Sequence, residues 1–120
     1  MEATVSLRLR SPGGFESQID AVIDTAYTGT LTLSARRCMS LGLPIRSKLM
    51  TILADGSRRR VDSFTAELHW GGIWRVIAVT AIDTAPLIGM ALLRGYRLEV
   101  DFVAGGEVLV RPIVSPTNPP

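Results

Sequence analysis

The sequence predicts an all-β domain, and three features carry that prediction. Val5, Leu7 and Leu9 alternate with Ser6, Arg8 and Arg10, and Phe64, Ala66, Leu68 and Trp70 occupy every second position of a later run. Period two is the mark of a strand with one face buried. Between such runs stand Pro12-Gly13-Gly14, Asp55-Gly56, Gly71-Gly72 and Gly105-Gly106, residues that supply the dihedral angles of tight turns. Val, Ile and Thr are plentiful and helix-favouring charge runs are scarce, a balance that suits pleated, half-buried surfaces.

Val5 to Leu9 form the first expected strand, Ser11 to Gly14 turn the chain, and Phe15 to Ile23 return as the second arm of a hairpin. Asp24 ends that arm. After Leu31-Thr32-Leu33, Ser34 can cap a short helix through Leu41 by accepting an N–H of its first turn, and Gly42 and Pro44 stop it. Cys38 and Met39 are expected to face the core. Extended structure resumes from Ile45 to Ala54. Asp55-Gly56 is the dipeptide that two-residue hairpin loops prefer, because both central residues can take positive φ. The return arm carries Arg58-Arg59-Arg60 and then Val61 to Trp70, and Gly71-Gly72 leads into Ile73 to Ile82. Asp83-Thr84-Ala85-Pro86 precedes Leu87-Ile88-Gly89 and a helix-like stretch from Met90 to Arg94, stopped by Gly95. Strands at Tyr96 to Phe102 and Glu107 to Ile113 close the chain. One domain is expected over 1–113, followed by a Pro-rich, polar, disordered tail over 114–120. Hairpin, apolar strand, loop and short helix occur twice, ending at Gly42 and again at Gly95, as expected of two copies of one unit.

At 120 residues, 47% apolar and 20% charged, the chain suffices for one core that buries roughly two-thirds of the unfolded surface. Its net charge of +2 gives no reason to expect a nucleic-acid partner. The Arg run reads either as a site for an acidic ligand or as a solvated strand edge kept from aggregating by its charge. No window approaches the roughly 18 apolar residues of a membrane span, and the N-terminus lacks the pattern of a signal peptide, so a cytoplasmic location without a membrane partner is expected. Cys38 is the one cysteine and His69 the one histidine, which excludes an internal disulfide and leaves too little for a zinc site. His69 lies in a strand-like alternation beside Trp70, an ordinary strand position rather than the base of a Ser-His-Asp triad. No metal and no cofactor are expected.

The carboxylate placed for chemistry is Asp24. An apolar β-rich run delivers it at a strand end, and small hydroxyl residues and Gly29 follow, so backbone and side-chain hydrogen bonds can hold the acid on a rigid base. An Asp in such a place is also a turn former, since it bonds its own backbone two residues on. Both readings stand on the residues alone.

Val22-Ile23-Asp24-Thr25-Ala26 resembles the apolar-apolar-Asp-Thr-Gly signature of the retropepsin-like aspartic proteases, and the run Thr28 to Leu33 continues as in their small bacterial single-domain members. Leu53-Ala54-Asp55-Gly56-Ser57 falls where that family has its flap hairpin. Pro86 to Leu93 is similar to the segment that completes its ψ-shaped loop. The resemblance spans about Thr4 to Val110 and implies a closed acid-protease barrel with a flap hairpin and one or two short helices. It implies one catalytic aspartate per chain, Asp24, and therefore a homodimer acting on a peptide or protein substrate. Thr25, Ala26, Leu87, Ile88 and Gly89 are expected to support the site, and Leu53, Ala54, Asp55, Gly56, Ser57 and Tyr27 to meet substrate. Glu107 to Ile113 and the N-terminal strand are the expected interface elements. Ala26 stands where the family has Gly, at a position expected to need positive φ, and Ala91 where bacterial relatives usually carry Asp. The alternative those departures open is a weak or inactive module of the same fold that binds peptides without cleaving them.

Overall fold

The computed structural model describes residues 2–52 and 55–113. The expected flap residues Leu53 and Ala54 and the expected tail lie outside the described residues. Strands take up 54% of the described residues and helices 9%. In chain order the elements are β1 (Thr4–Arg10), β2 (Glu16–Ile23), β3 (Leu31–Leu33), α1 (Ala35–Ser40), β4 (Ile45–Ile52), β5 (Arg58–Trp70), β6 (Ile73–Ala81), β7 (Leu87–Ile88), α2 (Met90–Leu93), β8 (Tyr96–Val100) and β9 (Val108–Pro112). The expected strands are all present, with ends within two residues of those read from the pattern, except that the expected end of the strand from Ile45 at Ala54 lies outside the described residues. No helix among the described residues is long and apolar enough to cross a membrane.

The alternation in sequence becomes a buried face. Leu7 and Leu9 of β1, Ile19 and Ala21 of β2, and Phe64, Ala66, Leu68 and Trp70 of β5 meet in one core with Leu31, Leu33, Val79 and Ile88. Trp70 brings a polar atom into that core and satisfies it, its indole N–H donating to the Leu92 carbonyl at 3.1 Å. His69, one residue earlier, opposes Trp74 across the β5–β6 pair and makes an edge-on ring contact with it at 5.2 Å.

Seven strands form one sheet in the order β1-β2-β7-β3-β6-β5-β4, β1 pairs in addition with β5, and β8 and β9 form a separate two-stranded sheet. The pairings have a symmetry that the residues barely show. β1–β2 and β5–β6 are antiparallel hairpins, β2–β7 and β3–β6 are parallel, and β3–β7 and β1–β5 are antiparallel. Exchanging β1 with β5, β2 with β6 and β3 with β7 leaves this set unchanged, and α1 and α2 then correspond. The expected doubling of one unit is thus present in the topology, with β4 and the β8–β9 pair outside it. At the β1–β5 seam Arg10 lies opposite Glu67, pairs with it at 2.5 Å and stacks its guanidinium 4.0 Å from the Trp74 ring centroid.

Helix α1 is delimited as its flanks predict. Ser34 accepts the Arg37 N–H at 3.2 Å, which fills one of the free donors of the first turn. At the other end Gly42 takes φ +70°, and the N–H groups of Gly42 and Leu43 return to the carbonyls of Met39 and Cys38, the two bonds that close a helix through a left-handed residue. Cys38 is fully buried, but Met39 is 67% exposed, contrary to expectation. Adjacent residues on a helix point about 100° apart, and a helix of six residues has one buried line, which Cys38 occupies. Burial pushes the Cys38 thiol up to about 11. A thiol reagent at pH 8 should therefore leave the native protein unlabelled and label it fully in denaturant. The stability owed to the neutral thiol is present below its ordinary value of 9.0 and lost as pH rises towards about 11.

The β4–β5 hairpin is longer at its tip than Asp55-Gly56 suggests. Ile52 pairs with Arg58, so the connection is five residues, 53–57, rather than two. Gly56 has φ +85° and no described non-glycine residue has positive φ. Asp55 accordingly serves the turn through its side chain, accepting the Ser57 N–H at 2.8 Å and the Ser57 hydroxyl at 2.6 Å. Those bonds hold the Asp55 carboxyl below the usual carboxylate range.

Candidate active site

Strand β2 is pinned at its C-terminal end before it releases Asp24. The Val22 N–H donates to the Pro86 carbonyl, that of Ile23 to Ala3, and that of Asp24 to Ile88, at 2.9, 2.8 and 2.9 Å. The chain then folds back on itself. The Asp24 carbonyl accepts the Tyr27 N–H at 3.1 Å, and Asp24 Oδ1 accepts the Ala26 N–H at 2.9 Å. Asp24 is thus a turn former of the kind its residue type favours, and it remains partly exposed, with Thr25 and Ala26 exposed beside it.

What fixes this loop comes from the far end of the sequence. The first N–H groups of a helix lack partners within the helix, and α2, which starts after Gly89, has no side-chain cap. The loop supplies the acceptors instead. The N–H groups of Gly89, Met90 and Ala91 donate to the carbonyls of Thr30, Tyr27 and Gly29, at 3.0, 2.7 and 3.1 Å. The Asp24 loop and the β7–α2 junction are therefore one hydrogen-bonded body.

Gly89 allows the approach. A Cβ there would strike the Gly29 carbonyl oxygen and lie 2.7 Å from that of Tyr27, closer than real Cβ contacts come. Tyr27 folds inward, its ring against the Cα positions of Gly29 and Gly89. Tyr27 thus packs the loop it belongs to. Thr32, buried at 1% exposure, accepts the Leu87 N–H through its hydroxyl at 3.2 Å and so completes the junction between β3 and β7.

The structure brings together Asp24, Thr25, Ala26 and Tyr27 with Leu87, Ile88 and Gly89. It does not join Asp55, Gly56 or Ser57 to them, since no hydrogen bond among the described residues links the hairpin tip to the Asp24 loop. Ala26 is free of the strain expected of it, because its φ is not positive. Its methyl is tolerated because the turn is closed by the Asp24 side chain rather than by a left-handed residue.

No family model matches the chain, and no curated protein or solved structure matches it.

A second copy of the motif lies at the topologically equivalent place. Ile23-Asp24-Thr25-Ala26 after β2 recurs as Ile82-Asp83-Thr84-Ala85 after β6, a repetition readable in the sequence but given meaning by the symmetry of the pairings. The two copies are not held alike. The ladder bond made by the Asp24 N–H to Ile88 is made in the second copy by Ile82, to Leu33, so Asp83 sits one residue further out. There the turn closes through the Thr84 N–H to Ile82 at 2.8 Å, and Pro86 leads directly into β7. Asp24 is the acid on a braced loop, and Asp83 is an exposed residue on a short connection. Among the described residues no group of three or more His, Cys, Asp or Glu is placed to hold a metal ion.

Proposed function

We propose that this chain is one half of a homodimeric aspartic endopeptidase of the retropepsin-like type, hydrolysing peptide bonds between two Asp24 carboxylates, one from each protomer. The observation that carries the reading is the brace: a partly exposed acid at a strand end, on a loop whose carbonyls take the N–H of Gly89 and the first two N–H groups of α2. The cycle of pairings β1-β2-β7-β3-β6-β5 and back to β1 supports a closed barrel under that loop. The β4–β5 hairpin, with Asp55, Gly56 and Ser57 at its tip, is the flap in this reading, and Thr25 bonds across the axis to the partner's matching loop.

Two carboxylates about 3 Å apart cannot both ionise, so the pair shares one proton. The ionised carboxylate takes a proton from water as the water oxygen bonds to the scissile carbonyl carbon, and the protonated one delivers its proton to the carbonyl oxygen. On collapse the carboxyl that took the water proton passes it to the amide nitrogen, the ionised carboxylate takes a proton back from one diol hydroxyl, and the C–N bond breaks to release the amine and the new carboxyl group. One chain offers one braced acid, so association is obligatory. The β8–β9 pair is the interface element, because neither of its outer edges is paired among the described residues and Leu98 and Ile113 are exposed there. Strand β1, the other element expected at the interface, is already occupied by β2 and in part by β5.

Light scattering at micromolar concentration should show species of twice the 13.0 kDa chain mass, and a strict monomer with and without a peptide inhibitor would count against the enzyme. Digestion of an unbiased peptide library by wild type and by Asp24→Asn tests the chemistry. A second reading rests on Ala26, whose exposed methyl stands where the family pattern has glycine at the seam between protomers: the same fold binding peptides without cleaving them. A stable dimer that binds library peptides and cleaves none at any pH from mildly acidic to neutral would select it.

A further inference from the structure

The β8–β9 hairpin separates its charges by sign. At its base, where α2 delivers the chain and Tyr96 pairs with Pro112, lie Arg94, Arg97 and Arg111 and no acid. Towards its tip, beyond the opposed pair Leu98 and Val110, lie Glu99, Asp101 and Glu107 and no basic residue. All six are exposed. Glu99 pairs with Arg111 at 2.9 Å, whereas Arg94 and Arg97 at the base and Asp101 and Glu107 at the tip take part in no ion pair of the described residues. Arg97 also lies directly opposite Arg111, a like-charge arrangement that an added acid relieves.

The two ends also differ in shape. The tip presents Phe102 and Val103 at 73% and 62% exposure on a turn tied to itself: the Asp101 N–H donates to the Glu107 carbonyl, that of Val103 to Asp101 and that of Gly106 to Val103, at 2.9, 2.8 and 2.8 Å. A Cβ at Gly106 would strike the Asp101 carbonyl oxygen, so the turn closes only on glycine. The base borders a cleft of about 170 Å³, lined by three ring-bearing residues, His69, Trp70 and Tyr96, and by Val5, Leu7 and Val110. A space of about 150 Å³ holds a benzene ring, and rings pack favourably against rings in offset or edge contact. From Tyr96 to Phe102 an extended chain runs about 20 Å, so Phe102 cannot fill the cleft of its own chain.

We propose that the β8–β9 hairpin recognises a second copy of itself, laid antiparallel about a twofold axis, so that each chain's Phe102 enters the partner's cleft and its Asp101 and Glu107 face the partner's Arg94 and Arg97. The occupant is a second copy because the order of charge along the hairpin is complementary to its own reverse. A twofold axis makes each of these contacts twice and closes the assembly at two chains. Parallel hairpins would set tip against tip and base against base, like charge against like, and are rejected on that ground. The inference rests on the homodimer proposed above and adds the residues that choose its orientation.

The test is sedimentation equilibrium of the full-length chain and of variants whose circular dichroism spectra match it. The wild-type dimer should weaken with added salt. Phe102→Ser should weaken it about a hundredfold or more, since each dimer loses two buried rings. Arg94→Glu with Arg97→Glu makes both ends of the hairpin acidic, and Asp101→Arg with Glu107→Arg makes both basic. Each of these proteins alone should dimerise about tenfold more weakly or worse, and an equimolar mixture of the two should recover a dimer containing one of each. A wild-type dimer unmoved by Phe102→Ser or by the charge reversals overturns the proposal, as does a mixture that stays monomeric. So do species that grow past two chains with concentration, which would join tip to base without a closing axis. A dimer that cleaves library peptides and ignores these substitutions keeps the protease reading and loses this one. One that obeys them and cleaves nothing loses the protease reading alone, and a strict monomer loses both.

Discussion

Asp24→Asn should reduce peptide hydrolysis to below about one-thousandth of the wild-type rate, since in a homodimer it removes the general base and the general acid together. The substitution is well matched to its purpose. The Asp24 carboxylate accepts the Ala26 N–H through one oxygen, and an asparagine side-chain carbonyl accepts the same bond, so the turn and the loop it starts are kept. The melting midpoint should therefore stay close to that of wild type, and the dimer should hold at least as well, because two facing carboxylates repel when both ionise. Wild-type rate against pH should be bell-shaped with its maximum on the acidic side of neutrality. It falls on the acid limb as both members of the pair are protonated and on the other as the shared proton leaves. Cleavage undiminished by Asp24→Asn, in protein free of contaminating protease, would end the aspartic-protease proposal.

Local chemistry explains which parts of this structure are legible in the sequence. Leu7, Leu9, Ile19, Ala21 and the series from Phe64 to Trp70 alternate because each strand buries one face, and a one-residue slip would turn the whole set to solvent. Ser34 and Gly42 delimit α1 because caps are set by the residue and its immediate neighbours. Met39 escapes such a reading because six residues are too few for helical periodicity to tell a buried line from its neighbour. The hairpin tip escapes it because Asp55-Gly56 states a turn preference, whereas loop length is set by the pairing of Ile52 with Arg58. Asp24 is a candidate site and a local turn at once, and sequence does not separate the two because the Ala26 N–H bond serves both. The brace leaves no local signature at all. Gly89, with no side chain to cap α2, reads as an ordinary turn residue until the carbonyls of Tyr27, Gly29 and Thr30 arrive from about sixty positions away in sequence, much the same distance as separates the first motif from its repeat at Asp83.

Gly89→Ala should be among the most damaging single substitutions outside the apolar core, and for a reason unrelated to the flexibility of glycine. Its φ is −108°, which alanine adopts without strain. The obstacle is space: the added methyl would meet the Gly29 carbonyl oxygen and the backbone and ring of Tyr27. Backbone on both sides is already fixed by the bonds from Gly89, Met90 and Ala91, so relief requires the loop to move off α2 and those donors to lose their acceptors. Overpacking alone costs about 1–3 kcal/mol, and the donor of buried Gly89 left unpaired a further 1–3 kcal/mol or so. A loss of about 3 kcal/mol or more is expected, or roughly 10 °C in melting midpoint for a domain of this size. Gly14→Ala is the control: Gly14 has φ +95° and nothing stands within 4 Å of where the new methyl would lie, so it should cost only the backbone strain of about 1–2 kcal/mol. If Gly89→Ala melts with wild type or above Gly14→Ala, the loop does not approach α2 as closely as described. If it melts well below both while a fold persists, amide exchange should be fastest at Tyr27, Met90 and Ala91, and any hydrolytic activity should be lost with the position of Asp24.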